Sequence, residues 1–121
     1  KKFISINSDY LSDQEIISNL SMSNLVVYPY QSSKESSSAS VRHGLASDSP
    51  VLVTPSSIFN DIRPYVLSTS GYSVNDISLA ISEFLRKGNS VDSELLKLWK
   101  YQHRFSQVGK RLQGMIRAFL I

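Results

Sequence analysis

Residues 25–54 read LVVYPYQSSKESSSASVRHGLASDSPVLVT, and the order of patterns within them decides the fold class. The run 25–28 is apolar on both faces, as expected of a strand inside a parallel sheet covered on both sides. Asn24 and Pro29 bracket it. Residues 29–37 are polar and hold one acid, Glu35, followed by three serines. A helix is predicted from about Ser38 to Ser47, with Val41 and Leu45 as its core pair four residues apart. Pro50 then breaks the chain, and residues 51–53 form a second buried strand. Strand, helix and strand at this spacing make one βαβ unit. The predicted fold class is α/β, a Rossmann-like parallel sheet flanked by helices, in a single domain spanning 1–121.

Outward from this unit the signals are local. Phe3 to Asn7 alternates apolar and polar residues and predicts a short strand. Ser12-Asp13-Gln14-Glu15 is a capping box, in which the Ser12 hydroxyl and the Glu15 carboxylate each take a free backbone N–H. The helix it opens runs to about Met22 and presents Ile16, Ile17 and Leu20 on one face. Ile58-Phe59 is an apolar knob, and Val66-Leu67 predicts one more short strand. Ser73 to Asp76 caps another helix, with Ile77, Ile81, Phe84 and Leu85 inward, and Gly88 ends it. Residues 92–121 form a C-terminal helical segment with a break near Tyr101 to Phe105. Leu95, Leu96, Leu98 and Trp99 cluster at its start. Val108, Leu112, Met115, Ile116 and Phe119 form a stripe at helical spacing, part of which is expected to meet something outside this chain.

A chain of 121 residues can bury a real core. The 24 serines are interrupted everywhere by apolar periodic segments, which excludes a low-complexity tail. Without cysteine there are no disulfides or thiolate sites. No apolar run approaches the roughly 18 residues of a membrane span. The net charge of +3 hides an asymmetry. Residues 1–94 hold all ten acids and balance at −3, whereas residues 95–121 hold six cations, no acid, and balance at +6. A basic C-terminal helix of this kind is a solvated face, a contact for an anionic membrane surface, or a contact for nucleic acid. The chain carries no nucleic-acid recognition motif, and that class is set aside.

The histidines, His43 and His103, lie far apart, and no His, Asp or Glu spacing matches a metal site. There is no nucleophile elbow and no Gly-rich phosphate loop. The polar loop is the better candidate. In an open α/β sheet, ligands bind where a loop leaves the carboxyl end of a strand and a helix begins. The helix start offers free N–H groups and a partial positive charge, which suit a phosphate. Glu35 there is either a partner of the helix dipole or a carboxylate that accepts hydrogen bonds from sugar hydroxyls. The backbone amides of Ser38 and Ala39 then face a diphosphate. Arg42 and His43, one turn further on, are either solvated or within reach of a ligand lying over the loop.

The pattern of Leu25-Val-Val-Tyr-Pro-Tyr30, Glu35, Leu45-Ala46 and Pro50-Val-Leu-Val-Thr54 resembles the retaining GT-B glycosyltransferases of family 4. In that group a strand ending in Pro-Ser or Pro-Tyr is followed by Glu-x7-Glu, a small-residue turn and Pro-Val-Val. The segment Ser12 to Leu20 is similar to the helix before this strand, and residues 73–87 to the helix after the donor site. The resemblance implies the C-terminal donor-binding domain of an enzyme that moves a sugar from a nucleotide-sugar donor to a glycan or lipid-linked acceptor. It implies retention at the anomeric carbon, no metal and no cofactor beyond the donor. Glu35 matches the first Glu of the motif, beside the donor sugar, and is the expected catalytic-site residue. Ser36, Ser37, Ser38 and Ala39 match the loop at the donor diphosphate, and Arg42 and His43 complete the expected donor-binding set.

Two departures stand out. The second motif Glu, which holds the nucleotide ribose in the family, falls at His43. The family's basic residues that neutralise the diphosphate leaving group lie in segments that would precede Lys1. The expectation is therefore a part of a donor domain, inactive alone and functional against the N-terminal GT-B domain of a longer parent. The alternative is a non-catalytic Rossmann-like interaction module derived from such an enzyme. The expected location is cytoplasmic, with a peripheral contact to anionic membrane through the last helix kept open.

Overall fold

A computed structural model describes residues 3–32, 34 and 37–120. Three short parallel strands, β1 (Val26–Tyr28), β2 (Val51–Val53) and β3 (Leu67–Ser68), lie side by side in the order β1-β2-β3. Val26, Val27 and Tyr28 pair with Val51, Leu52 and Val53, and Leu52 and Val53 pair with Leu67 and Ser68. The α/β reading and the parallel β1–β2 pair are as expected from residues 25–54. The third strand sits one residue later than Val66-Leu67, and Val66 turns into the core instead.

Helix α1 (Asp13–Ser21) begins with the expected capping box. Glu15 N–H donates to the Ser12 hydroxyl at 3.3 Å, and Ser12 N–H donates to the Glu15 carboxylate at 2.8 Å. Those bonds hold the Glu15 carboxyl below the usual carboxylate range. Helix α2 (Ala39–Ala46) packs on α1 and on the sheet, burying Val41, Gly44 and Leu45. A 3-10 helix, Ser57–Tyr65, bridges β2 to β3 and drives Ile58, Phe59 and Ile62 into the core. The apolar knob is thus the deepest part of the fold: Phe59 is the largest fully buried side chain.

Helix α3 (Val74–Lys87) is capped by Ser73 and Asp76 and stops at Gly88, which takes φ of +81°. Helices α4 (Ser93–Gln102) and α5 (Phe105–Phe119) follow, broken at His103 and Arg104 within the expected interval. Asp92 caps α4 by accepting from Glu94 N and Leu95 N. Leu96 and Trp99 pack against the core, and Trp99 lies between Tyr65 and His103, with ring centroids 5.2 and 4.3 Å away.

Two expectations are corrected. Phe3 to Asn7 forms no strand, and Phe3 is 91% exposed. Alternation alone does not make a strand: its N–H and C=O groups need a neighbour, and no described strand pairs with them. The inward face expected of α3 is buried only in part. Ile77, Ile81 and Phe84 are half-buried, while Leu85 is 73% exposed. The sheet ends at a two-residue strand and offers α3 little surface to cover.

Candidate functional site

The site grows from the carboxyl ends of β1 and β2. Beyond β1 the chain passes Pro29 to Tyr30, whose ring packs on Phe59 at 5.3 Å and edge-on to Tyr28 at 6.2 Å. Beyond β2, the Thr54 hydroxyl donates to the Tyr30 carbonyl. Thr54 is almost fully buried, so this bond fixes where the loop departs. The loop returns at Ser38, the cap of α2. The Ser38 hydroxyl accepts from Val41 N–H at 3.4 Å and makes a long 3.5 Å contact to the Tyr30 hydroxyl. Both ends of the polar loop are therefore held against the sheet within one small cluster.

Glu35 and Ser36, the centre of the expected site, lie outside the described residues, as does Ser33. Ser37 and Ala39 are exposed at the start of α2, where a helix leaves its first N–H groups without an intrahelical partner. The Ser38 side chain is buried and occupied as a cap, so only its backbone can serve a ligand.

Arg42 turns back along its own helix. Its Nη1 donates to the Ser38 carbonyl at 2.6 Å, and its Nη2 pairs with Asp61 of the 3-10 helix. This places a guanidinium beside the first turn of α2, with Asp61 tempering its charge. His43 points elsewhere. Its Nε2 lies 3.1 Å from Asp13 Oδ1, tying α2 to the first turn of α1. Arg42 and His43 thus serve different neighbours: the first stands at the helix start, and the second links two helices.

Thr54, Tyr30 and Asp61 complete the site's frame. Thr54 and Tyr30 stood inside the motif as strand-end residues. Asp61 carried no local signal, because its pairing with Arg42 spans 19 positions. The β1–α2 joint is tight. The Tyr28 hydroxyl donates to the Ser40 carbonyl at 2.8 Å, and burial pushes its pKa above the usual phenol value. Among the described residues, no cluster of three His, Asp or Glu side chains is arranged to hold a metal ion. Among the described residues, no helix is long and apolar enough to cross a membrane.

The chain matches no protein-family model, no curated protein and no solved structure.

Proposed function

We propose that this chain is the C-terminal, nucleotide-sugar-binding part of a retaining glycosyltransferase with GT-B architecture. The observation that carries this reading is the bond from Thr54 to the Tyr30 carbonyl. It joins the two halves of the sequence motif, the Pro-Tyr strand end and the Pro-Val-Leu-Val-Thr strand, at the carboxyl edge of a parallel sheet. Ligands of open α/β sheets bind at this edge.

In this reading the donor diphosphate lies over the first turn of α2, approached by the backbone amides of Ser38 and Ala39. The Arg42 guanidinium supports the negative charge from beside Ser38, and Glu35 accepts hydrogen bonds from the donor sugar. Transfer breaks the bond between the anomeric carbon and the diphosphate oxygen and forms one to the acceptor oxygen, whose proton passes to the leaving diphosphate. Charge develops on the leaving diphosphate, and stabilising it is the main electrostatic demand of the step. Cations from the rest of the parent enzyme meet most of that demand, and its N-terminal domain brings the acceptor.

The test uses the full-length parent with Glu35→Gln. A hydrogen bond to a charged group contributes about 1.5–3 kcal/mol, so transfer should fall roughly tenfold to a hundredfold. Unchanged transfer and unchanged donor affinity would remove Glu35 from the site.

A second reading is favoured by the contact between His43 and Asp13. Where the family places a ribose-binding carboxylate, this chain has an imidazole engaged with α1. A Rossmann-like interaction module without catalysis fits that arrangement. Titration of nucleoside diphosphates into the folded full-length protein separates the two: binding supports the transferase, and absence of binding to all of them supports the module.

A further inference from the structure

Helix α5 stands apart from the rest of the chain. It buries no residue and meets α4 more than any other element. At 100° per residue, Phe105, Val108, Leu112, Met115, Ile116 and Phe119 fall within an arc of about 100°. That face is open: Phe105 is 97% exposed and Phe119 is 90% exposed. Arg111 lies about 40° past one edge of the apolar arc, with Arg104 just before the helix on the same side, whereas Lys110 and Arg117 lie on the opposite, polar face. The helix carries no acid, and neither does any other residue from 95 onward.

The charge in this segment is largely uncompensated. Lys97 pairs with Glu94 and Lys100 with Asp48. Arg104, Lys110, Arg111 and Arg117 have no carboxylate partner among the described residues. Arg104 rests on the Tyr101 ring, and Arg111 donates to the Gln102 carbonyl, which fixes the α4–α5 corner. Two hollows flank that corner. One, of about 390 Å³, is lined by Gln102, Gln107, Lys110 and Arg111. The other, of about 340 Å³, is bordered by Arg42, Lys100, His103 and Arg104 around Trp99.

We propose that α5 and the α4–α5 corner form a docking surface for an anionic membrane. Interfacial helices combine an apolar face of this kind with flanking Lys and Arg, whose stems lie along the apolar surface while their heads reach lipid phosphates. The apolar arc enters the boundary between headgroups and acyl chains. Arg111 meets the phosphates at one margin, Lys110 and Arg117 on the polar face add a longer-range attraction to the anionic surface, and the cation-lined hollows take headgroups at the corner. An anionic surface complements the four cations here that have no carboxylate partner among the described residues, and these would repel a basic one. The inference does not rest on the proposed transferase activity.

The experiment is co-sedimentation of the full-length protein with vesicles of phosphatidylcholine alone or mixed in equal parts with phosphatidylglycerol. Binding is expected only to the mixed vesicles and should weaken as salt is raised. Arg104→Gln with Arg111→Gln should weaken it roughly thirtyfold. Leu112→Gln with Phe119→Ser should abolish it; both positions are exposed, so circular dichroism should show the parent's helix content. Arg86→Gln, on α3, should leave binding unchanged. Failure to bind mixed vesicles, equal binding to both kinds, or equal loss from Arg86→Gln would overturn the proposal. So would slow oxidation of Met115, 63% exposed on this face, in the vesicle-free protein, since another part of the parent or a second copy would then cover it.

Discussion

At the residue scale, Gly44 shows how closely α2 lies on the sheet. A Cβ at this position would stand 2.9 Å from both Tyr28 Cε2 and the Tyr28 hydroxyl, and 3.1 Å from Val51 Cγ2. Tyr28 has little room to yield, because its backbone is in β1 and its hydroxyl is bound to Ser40. Gly44→Ala should destabilise the chain by about 1–2 kcal/mol. Overpacking costs roughly 1–3 kcal/mol, and the better helix propensity of Ala returns up to about 1. In a Tyr28→Ala background the same substitution should cost much less, and a double-mutant cycle by urea unfolding measures that coupling. If Gly44→Ala unfolds at the same urea concentration as the parent, the ring yields and the joint is looser than its geometry. Val41 and Leu45 were readable from spacing alone. The need for a glycine between them was not, since it arises from a ring 16 positions earlier in the chain. Arg42 teaches the same point: its sequence neighbours give no hint of Asp61.

At the element scale, the parts that depend on nearby residues were the parts the sequence disclosed. β1, α2, β2 and both capping boxes formed where hydrophobic runs, Ser-x-x-acid spacing and Pro or Gly punctuation placed them. Phe3 to Asn7 failed because a strand is made by its neighbour. The inner face of α3 was overestimated because burial depends on how far the sheet extends. The candidate loop was found from its place between β1 and α2, whereas the Thr54 bond that anchors it depends on tertiary pairing. The capping boxes also predict a pH dependence. Bonds from the Ser73 hydroxyl and backbone, aided by Ser70, hold the Asp76 carboxyl below its usual range. Ser12 does the same for Glu15. A carboxyl depressed in the folded state stabilises it above the unfolded pKa of about 4. That contribution disappears as pH falls through the lower folded value. Stability should therefore decline on acidification from about pH 5 downward, with the first turns of α1 and α3 losing amide protection before β2. In Asp76→Ala the first turn of α3 should already be weakly protected at neutral pH, and acid should have less further effect there. An unchanged acid response of α3 would mean that the box contributes nothing to it.

At the scale of the whole molecule, the chain has an exposed surface of 9060 Å². A closed monomer of 13.6 kDa exposes about 6,600 Å². The excess lies in the N-terminal segment before α1 and along α3 and α5, which bury no residue. The fold is thus a small closed core, built from β1, β2, α2 and the 3-10 helix, with a helical arm attached. The attachment runs through Leu96 and Trp99, and Trp99 is gripped by Tyr65 on one side and His103 on the other. Arm and core should therefore differ in stability, as weakly packed units open before the core does. Trp99→Ala should cost roughly 2 kcal/mol, below the 3–5 of a fully buried aromatic, because Trp99 keeps some exposure. Its effect should be confined to the arm: amide exchange should show α4 and α5 losing protection while Leu52 and Val53 keep theirs. A uniform loss across both would show that core and arm unfold as one unit. In that case the open faces of α3 and α5 would belong to the same cooperative structure as the sheet.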